Sequence, residues 1–374
     1  MIDRKSFCFD IHHTVSIKFY NQQIKLGPCC LADHVDLEFN NHIQEIANHD
    51  FLVTLRQENL ENQTIPYACR TCKDLETSGL DSRRSHHLKF YSDDELTKPG
   101  IRMLDIFLPN LCNLKCVICG PNSSTSWIPD AEALGLQILP QWRYKKSIRN
   151  DIKNLIIPDS VEIIKFWGGE PLIDSTHIDI LELAQKNNIL KNQRVIYNTN
   201  GTVKVDDATL TLWKQCKLLE LYFSIDDLGP RSDYQRTGSD WNQLQENLIW
   251  YRENLPDNHL MYICCSYSWL NIWNLPRVVD WHKEYFSNTR FGDKIQLIFN
   301  PVIGSCAIDK VSSAVHEELK TRFQNYPNLM ELLNSFVVES NYRPESFIDY
   351  INKLDQIRGT KYSSIFEEHK LILQ

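Results

Sequence analysis

From about residue 101 the chain alternates short β-rich runs with helix-length amphipathic runs, and that rhythm leaves few folds open. The expected strands are Met103–Leu108, Glu162–Trp167, Gln193–Asn198, Leu219–Ile225, Leu260–Ser266 and Lys294–Phe299. Helical patterns fall between them near Ser124–Leu134, Ile178–Asn187, Asp207–Gln215, Trp241–Arg252 and Leu275–Tyr285. Strands joined through helices run parallel with right-handed crossovers, so the expected fold class is α/β, a partial (β/α)6 barrel over residues 101–305. The first hundred residues lack this rhythm. They carry two cysteine pairs and a Gly27-Pro28 turn, and read as a small, separate cysteine-rich β-hairpin domain over 1–100. After Pro301 the chain turns helical and polar, with breakers at Pro327 and Pro344, giving a helical extension over 306–374 that packs on the barrel or covers its mouth.

The run Leu108-Pro-Asn-Leu-Cys112-Asn-Leu-Lys-Cys116-Val-Ile-Cys119-Gly follows the first strand directly. Three thiols therefore sit on one loop at the carboxyl end of the sheet, where α/β barrels place their chemistry. Thiolates at this spacing suit an iron–sulfur cluster or, with one remote ligand, zinc. Three ligands on a four-iron cluster leave one iron open, as a catalytic metal centre requires. Twelve cysteines without a signal peptide fit metal ligation better than disulfides. A net charge of −8 with no concentrated run of Lys or Arg argues against nucleic acid as a partner. No stretch approaches the about 20 apolar residues of a membrane span, so a cytoplasmic location and no membrane partner are expected.

The C-x3-C-x2-C spacing resembles the signature of the radical SAM superfamily, whose members use S-adenosylmethionine (SAM), and the likeness continues along the chain. Phe166-Trp-Gly168-Gly169-Glu170-Pro171 ends the second strand, as the family's Gly-Gly-Glu segment does, where backbone and carboxylate hold the SAM amino group. Asn198-Thr-Asn200-Gly ends the third strand and Ser224-Ile-Asp226 the fourth, positions that in similar enzymes contact the SAM ribose and carboxylate. Arg236 matches an arginine that pairs with that carboxylate. Ile118 departs from the pattern, since many members carry an aromatic residue there beside the adenine. The resemblance implies a [4Fe-4S] cluster on Cys112, Cys116 and Cys119 with SAM on the open iron. Reductive cleavage of SAM would then give a 5′-deoxyadenosyl radical that takes hydrogen from a substrate, with the electron supplied by a donor such as flavodoxin or ferredoxin.

Cys8, the pair Cys29-Cys30, and Cys69-Arg-Thr-Cys72 followed by Glu76, Gly79 and Ser82 resemble the twitch or half-SPASM module that holds an auxiliary cluster. His12–Leu26 fits its hairpin, with Val15–Tyr20 as one arm. The implied ligands are Cys8, Cys29, Cys69 and Cys72, because adjacent residues in extended chain point opposite ways and Cys29 follows the Gly-Pro turn. A second [4Fe-4S] cluster is expected, with structural zinc on the same thiols as the alternative. Cys216, Cys264 and Cys265 read as core residues, while Cys306 is either core or a hydrogen donor at the active site.

Three functions follow. The first is modification of a ribosomally made peptide or protein, helped by a separate leader-recognition protein. The second is dehydrogenation or epimerisation of a sugar or alcohol. The third is a non-catalytic metal-binding partner protein, disfavoured by the intact Gly168-Gly169-Glu170, Asn200, Ser224 and Arg236.

Overall fold

The computed structural model describes residues 3–20, 23–38, 42–79, 81–140, 155–286 and 295–373. Its main sheet is built from β1 (Thr14–Tyr20), β2 (Gln23–Gly27), β3 (Val35–Leu37), β4 (Met103–Phe107), β5 (Ile163–Trp167), β6 (Arg194–Thr199), β7 (Leu218–Ser224), β8 (His259–Tyr267) and β9 (Ile295–Pro301). Strands β4 to β9 are parallel and adjacent in chain order, the open sheet of a partial barrel. Each lies within two residues of its expected position; Lys294, the expected start of the last, is outside the described residues.

Alternation along the strands creates two unlike faces. Leu104, Ile106, Ile164, Phe166, Val195, Leu219, Leu221 and Ile263 form the outer, apolar face. They pack with Ile180, Leu181, Leu210, Trp213, Leu244 and Leu248 from the crossover helices Thr176–Lys186, Asp207–Trp213 and Trp241–Asn254. Asp206 and Asp240 cap two of these helices, accepting from the amides of Thr209 at 2.8 Å and Gln243 at 2.9 Å. The inner face, lining the barrel lumen, is mostly polar. A small apolar cluster of Phe7, Phe9, Leu96, Met103, Ile163 and Ile196 fills its amino-terminal end.

The sheet does not stop at the boundary drawn near residue 100. β1 pairs in parallel with β4, Ser16 opposite Asp105, and forms an antiparallel hairpin with β2. The hairpin was legible, but it adds edge-on to the barrel sheet, and the amino-terminal unit shares the barrel's hydrophobic core. At the other end the helices Ser313–Phe323, Pro327–Asn334 and Glu345–Arg358 bury Phe323, Leu329, Phe347 and Ile351 against Trp269 and Trp273, beyond the carboxyl end of β8. No helix among the described residues is long and apolar enough to cross a membrane.

Candidate active site

The cysteine loop leaves the carboxyl end of β4 and lies between two other segments. On one side the Gly-Gly-Glu segment after β5 runs against it: the Gly169 amide donates to the Pro109 carbonyl at 3.3 Å and the Glu170 amide to Leu111 at 2.8 Å. A Cβ on Gly168 would overlap the Leu108 carbonyl oxygen, and one on Gly169 that of Leu111, so only glycine permits this contact. On the other side the amides of Lys115 and Val117 donate to the carbonyls of Thr237 at 2.9 Å and Gln235 at 2.7 Å. Side chains take the loop's own carbonyls. Ser126 donates to Cys112 (2.8 Å), Ser124 to Leu114 (2.5 Å), Arg358 to Lys115 (2.8 Å), Trp127 Nε1 to Cys116 (2.7 Å) and Tyr350 to Val117 (2.7 Å). The rest of the protein thus holds much of the loop's backbone, and the Leu114 amide donates to the Cys112 sulfur at 3.4 Å.

Cys116 is buried, Cys112 half-buried and Cys119 exposed. The Cys116 thiolate is favoured by a hydrogen bond from Cys119 and by the Arg236 guanidinium, whose Nη1 stands 3.9 Å from its sulfur. Burial pushes Cys112 up to about 11. Asn200 reaches across from the end of β6, its Nδ2 donating to Asn113 Oδ1 at 3.0 Å and lying 3.8 Å from the Cys112 sulfur.

Other signature residues are committed to the protein in ways the motif does not reveal. The buried Glu170 carboxylate accepts from the amides of Leu172 (3.1 Å) and Asn200 (2.6 Å) and from the Thr199 hydroxyl (2.8 Å), so it ties the end of β5 to that of β6. Asp226 accepts from the Ser266 amide at 2.8 Å and from Arg236 Nη1 at 3.2 Å, which makes Arg236 half of a buried ion pair. Polar capacity remains at three points. Arg236 Nε and Asn198 Oδ1 are buried with no hydrogen-bond partner, and the Ser224 hydroxyl makes no hydrogen bond among the described residues. A polar ligand beside three free thiols would satisfy them.

The Radical SAM superfamily model matches residues 106–282, a span that includes all of these residues. The barrel is a radical SAM domain. Among curated proteins, the chain is 27% identical over 154 residues to the GTP 3′,8-cyclase of Desulforamulus reducens, covering 40% of this chain and 43% of that one. It is 29% identical over 121 residues to GTP 3′,8-cyclase 3 of Mycobacterium bovis, 32% of this chain and 29% of that one. The chain thus spans less than half the length of these relatives. Among solved structures it is similar to native anSMEcpe with bound AdoMet and Cp18Cys peptide, at 15% identity and TM-score 0.38 over 62% of this chain and 60% of that one. It is also similar to Streptococcus suis SuiB bound to precursor peptide SuiA, at 13% identity and TM-score 0.37 over 93% and 78%.

Beside the radical SAM domain, Cys8, Cys29, Cys69 and Cys72 line one small enclosed cavity together with Pro28, Ile65 and Ala32. The segments that carry these cysteines are tied down individually. Arg84 donates to the Phe7 carbonyl at 2.9 Å and Asn59 to that of Ser6 at 2.9 Å, fixing the approach to Cys8. The Asp33 amide donates to Ala68 at 2.8 Å and Thr71 to Leu31 at 3.2 Å, joining the Cys29 turn to the Cys69–Cys72 segment. Glu76 accepts from Ser82 and Arg84, and Ser82 caps the helix Arg83–Phe90, so the residues trailing the C-x2-C serve the turn that brings Arg84 to Phe7. Burial raises the thiols of Cys8, Cys29 and Cys69, the last to about 12. Cys30 does not line the cavity; it turns toward Arg83, Asp105 and Lys165. Among the described residues no three Cys, His, Asp or Glu side chains are drawn onto a point that would hold a single ion.

Cys216 and Cys265 are core residues, their thiols donating to the carbonyls of Trp213 at 3.0 Å and Asp226 at 3.3 Å. Cys306 is 3% exposed in the carboxyl-terminal core. Cys264 is likewise buried, as expected, and pairs in register with Ser224 on the lumen face. Sequence reasoning also missed Trp127, Tyr350 and Arg358. Only their spatial contact with the loop marks them.

Proposed function

We propose that this chain cleaves SAM reductively and directs the resulting radical chemistry onto a ribosomally made peptide or protein. The observation that carries the reading is the cysteine loop: much of its backbone is held by the surrounding protein, and it gathers Cys112, Cys116 and Cys119 as a three-thiol set. Those thiols would hold a [4Fe-4S] cluster, with the glycine backbone at 168–169, Asn198, Ser224 and Arg236 nearest the bound SAM. Glu170 and Asp226 act by positioning, the first fixing the strand ends and the second orienting Arg236. When bound, the cluster and SAM supply one-electron reduction and a carbon-centred radical; the protein holds them and excludes water. The external electron donor and a leader-recognition partner belong to this proposal. A peptide is supported by β9, whose outer edge pairs with no strand among the described residues and offers main-chain hydrogen bonds to an extended chain.

The second reading, a small-molecule substrate, is favoured by the curated relatives, which are named as GTP 3′,8-cyclases. In both readings Cys8, Cys29, Cys69 and Cys72 hold an auxiliary [4Fe-4S] cluster, with zinc as the alternative.

Metal analysis after anaerobic reconstitution separates these parts. Wild type should carry about eight irons with matching sulfide, if both clusters have four irons, and the Cys112, Cys116 and Cys119 triple alanine variant about four. One zinc and no sulfide in that variant would remove the auxiliary cluster and leave the radical SAM site intact.

A further inference from the structure

The inner face of the sheet holds two lysines, Lys18 and Lys165, that form no close ion pair among the described residues. Lys165 shares a rung of the sheet with Ser16, Asp105, Ile196 and Glu220, and Lys18 shares the next rung toward the carboxyl ends with Phe107 and Trp167. Both are half-buried. The Lys165 Nζ lies 3.8 Å from the Trp167 ring centre and 5.9 Å from that of Tyr222. Lys18 Nζ lies 5.4 Å from the Phe107 ring, which stacks on Trp167 at 5.6 Å. The two ammonium groups therefore flank one aromatic pair.

Two of the three carboxylates nearby are held in close ion pairs. Asp10 is paired with Arg83 at 2.9 Å and Glu220 with Arg194 at 2.5 Å. Asp105 accepts from the Trp167 indole through Oδ1, while its Oδ2 lies 3.8 Å from Arg83 and has no hydrogen-bond partner. Among the described residues neither Lys18 nor Lys165 has a carboxylate within 4.0 Å, and Lys18 donates only to the Cys30 carbonyl, at 3.4 Å. Burial lowers the pKa of both lysines, and the partial attraction of Asp105 does not offset it. The chain carries a net charge of −8, so an anion is repelled at long range and needs a local reason to enter. Lys165 also lies within electrostatic reach of Cys264, which pairs in register with Ser224 at the cofactor end of the lumen.

We infer that Lys18 and Lys165 form an anion-binding site in the lumen that takes a carboxylate or phosphate of the substrate, beneath the SAM-facing residues. The inference rests on the proposed function and narrows its substrate to an acidic one: a peptide presenting a carboxylate, or a phosphorylated small molecule.

The probes are inorganic pyrophosphate, a pentaglutamate peptide with blocked termini and the matching pentaglutamine peptide, titrated into the reconstituted full-length protein with SAM present. Pyrophosphate or pentaglutamate should bind saturably at one site per chain, and pentaglutamine should not. Lys18→Met with Lys165→Met should weaken that binding at least roughly tenfold, the effect of losing a charge-assisted contact. Lys320→Met, on the exposed face of a distant helix, should leave it unchanged. In wild type, where no substitution can disturb folding, the bound anion should protect Lys18 and Lys165 from acetylation, read by peptide mass mapping. Preference for pyrophosphate points to a phosphorylated small molecule and preference for pentaglutamate to an acidic peptide. The inference is overturned if neither anion binds, or if binding leaves both lysines unprotected. Formation of 5′-deoxyadenosine by the same wild-type preparation is measured in parallel, so that a failed anion site is told apart from a failed radical SAM reading.

Discussion

Arg236 shows how one side chain serves both structure and chemistry at this site. It is 7% exposed, its Nη1 pairs with Asp226 and stands 3.9 Å from the Cys116 sulfur, and its Nε is left without a partner. Arg236→Ala would strand the Asp226 carboxylate in a buried site, a loss of about 3–5 kcal/mol in unfolding free energy. It should also raise the dissociation constant for SAM at least roughly tenfold, if the free Nε meets the ligand. Denaturant unfolding and equilibrium binding check the two effects separately; lost stability with unchanged SAM affinity would make Arg236 purely structural. At this scale the sequence was informative about which residues matter and less so about what each touches. Gly168 and Gly169 were read as giving a ligand close access, yet their missing side chains make room for the carbonyls of Leu108 and Leu111. The lumen lysines were not legible at all, because strand alternation separates two faces without saying which one encloses a cavity.

Among the elements, the helix Glu345–Arg358 has the least obvious task. Arg358 at its end pairs with the buried Asp130 at 2.6 Å and donates to Thr237 (3.0 Å) and to the Lys115 carbonyl (2.8 Å), holding the cysteine loop and the segment beside it in register. Asp130 keeps Lys115 at 2.9 Å, so Arg358→Ala should cost about 1–3 kcal/mol through the lost hydrogen bonds and lower iron occupancy at the three-cysteine site. Tyr350→Phe removes only the bond to Val117 and should cost about 1 kcal/mol. Thermal unfolding and iron analysis in the Cys69→Ala, Cys72→Ala background, where only the loop cluster should remain, read both. Equal occupancy in Arg358→Ala and its parent would separate this helix from the site. The parallel strands could be placed within two residues because each is a compact run enriched in apolar and β-favouring residues, bounded by turn formers. The clamp could not, since Arg358 and Lys115 stand 243 residues apart and no periodicity links them.

Across the whole molecule, burial sets the response to acid. His177 and His369 are almost fully enclosed, which lowers each imidazole to about 4 from an ordinary value near 6.5. The unfolded chain therefore binds protons that the folded chain does not. Stability is fully present above about pH 6.5 and falls as the pH drops toward 4, by up to about 1.4 kcal/mol per pH unit for each histidine. The urea midpoint should be clearly lower at pH 5.5 than at pH 7.5, and an unchanged midpoint would contradict their burial. The division of the chain was only partly legible. Cysteine spacing brought Cys8, Cys29, Cys69 and Cys72 to one cavity, but nothing in the local pattern told that β1 would join β4, a pairing between segments about ninety residues apart. Both cysteine sites thus hang on one sheet, and the chemistry proposed for it depends on the loop after β4. The most direct measurement is anaerobic quantification of 5′-deoxyadenosine from SAM and dithionite. Wild type should form it, and the Cys112→Ala, Cys116→Ala, Cys119→Ala variant should form none; equal amounts from both, or none from fully reconstituted wild type, would contradict SAM cleavage at this loop.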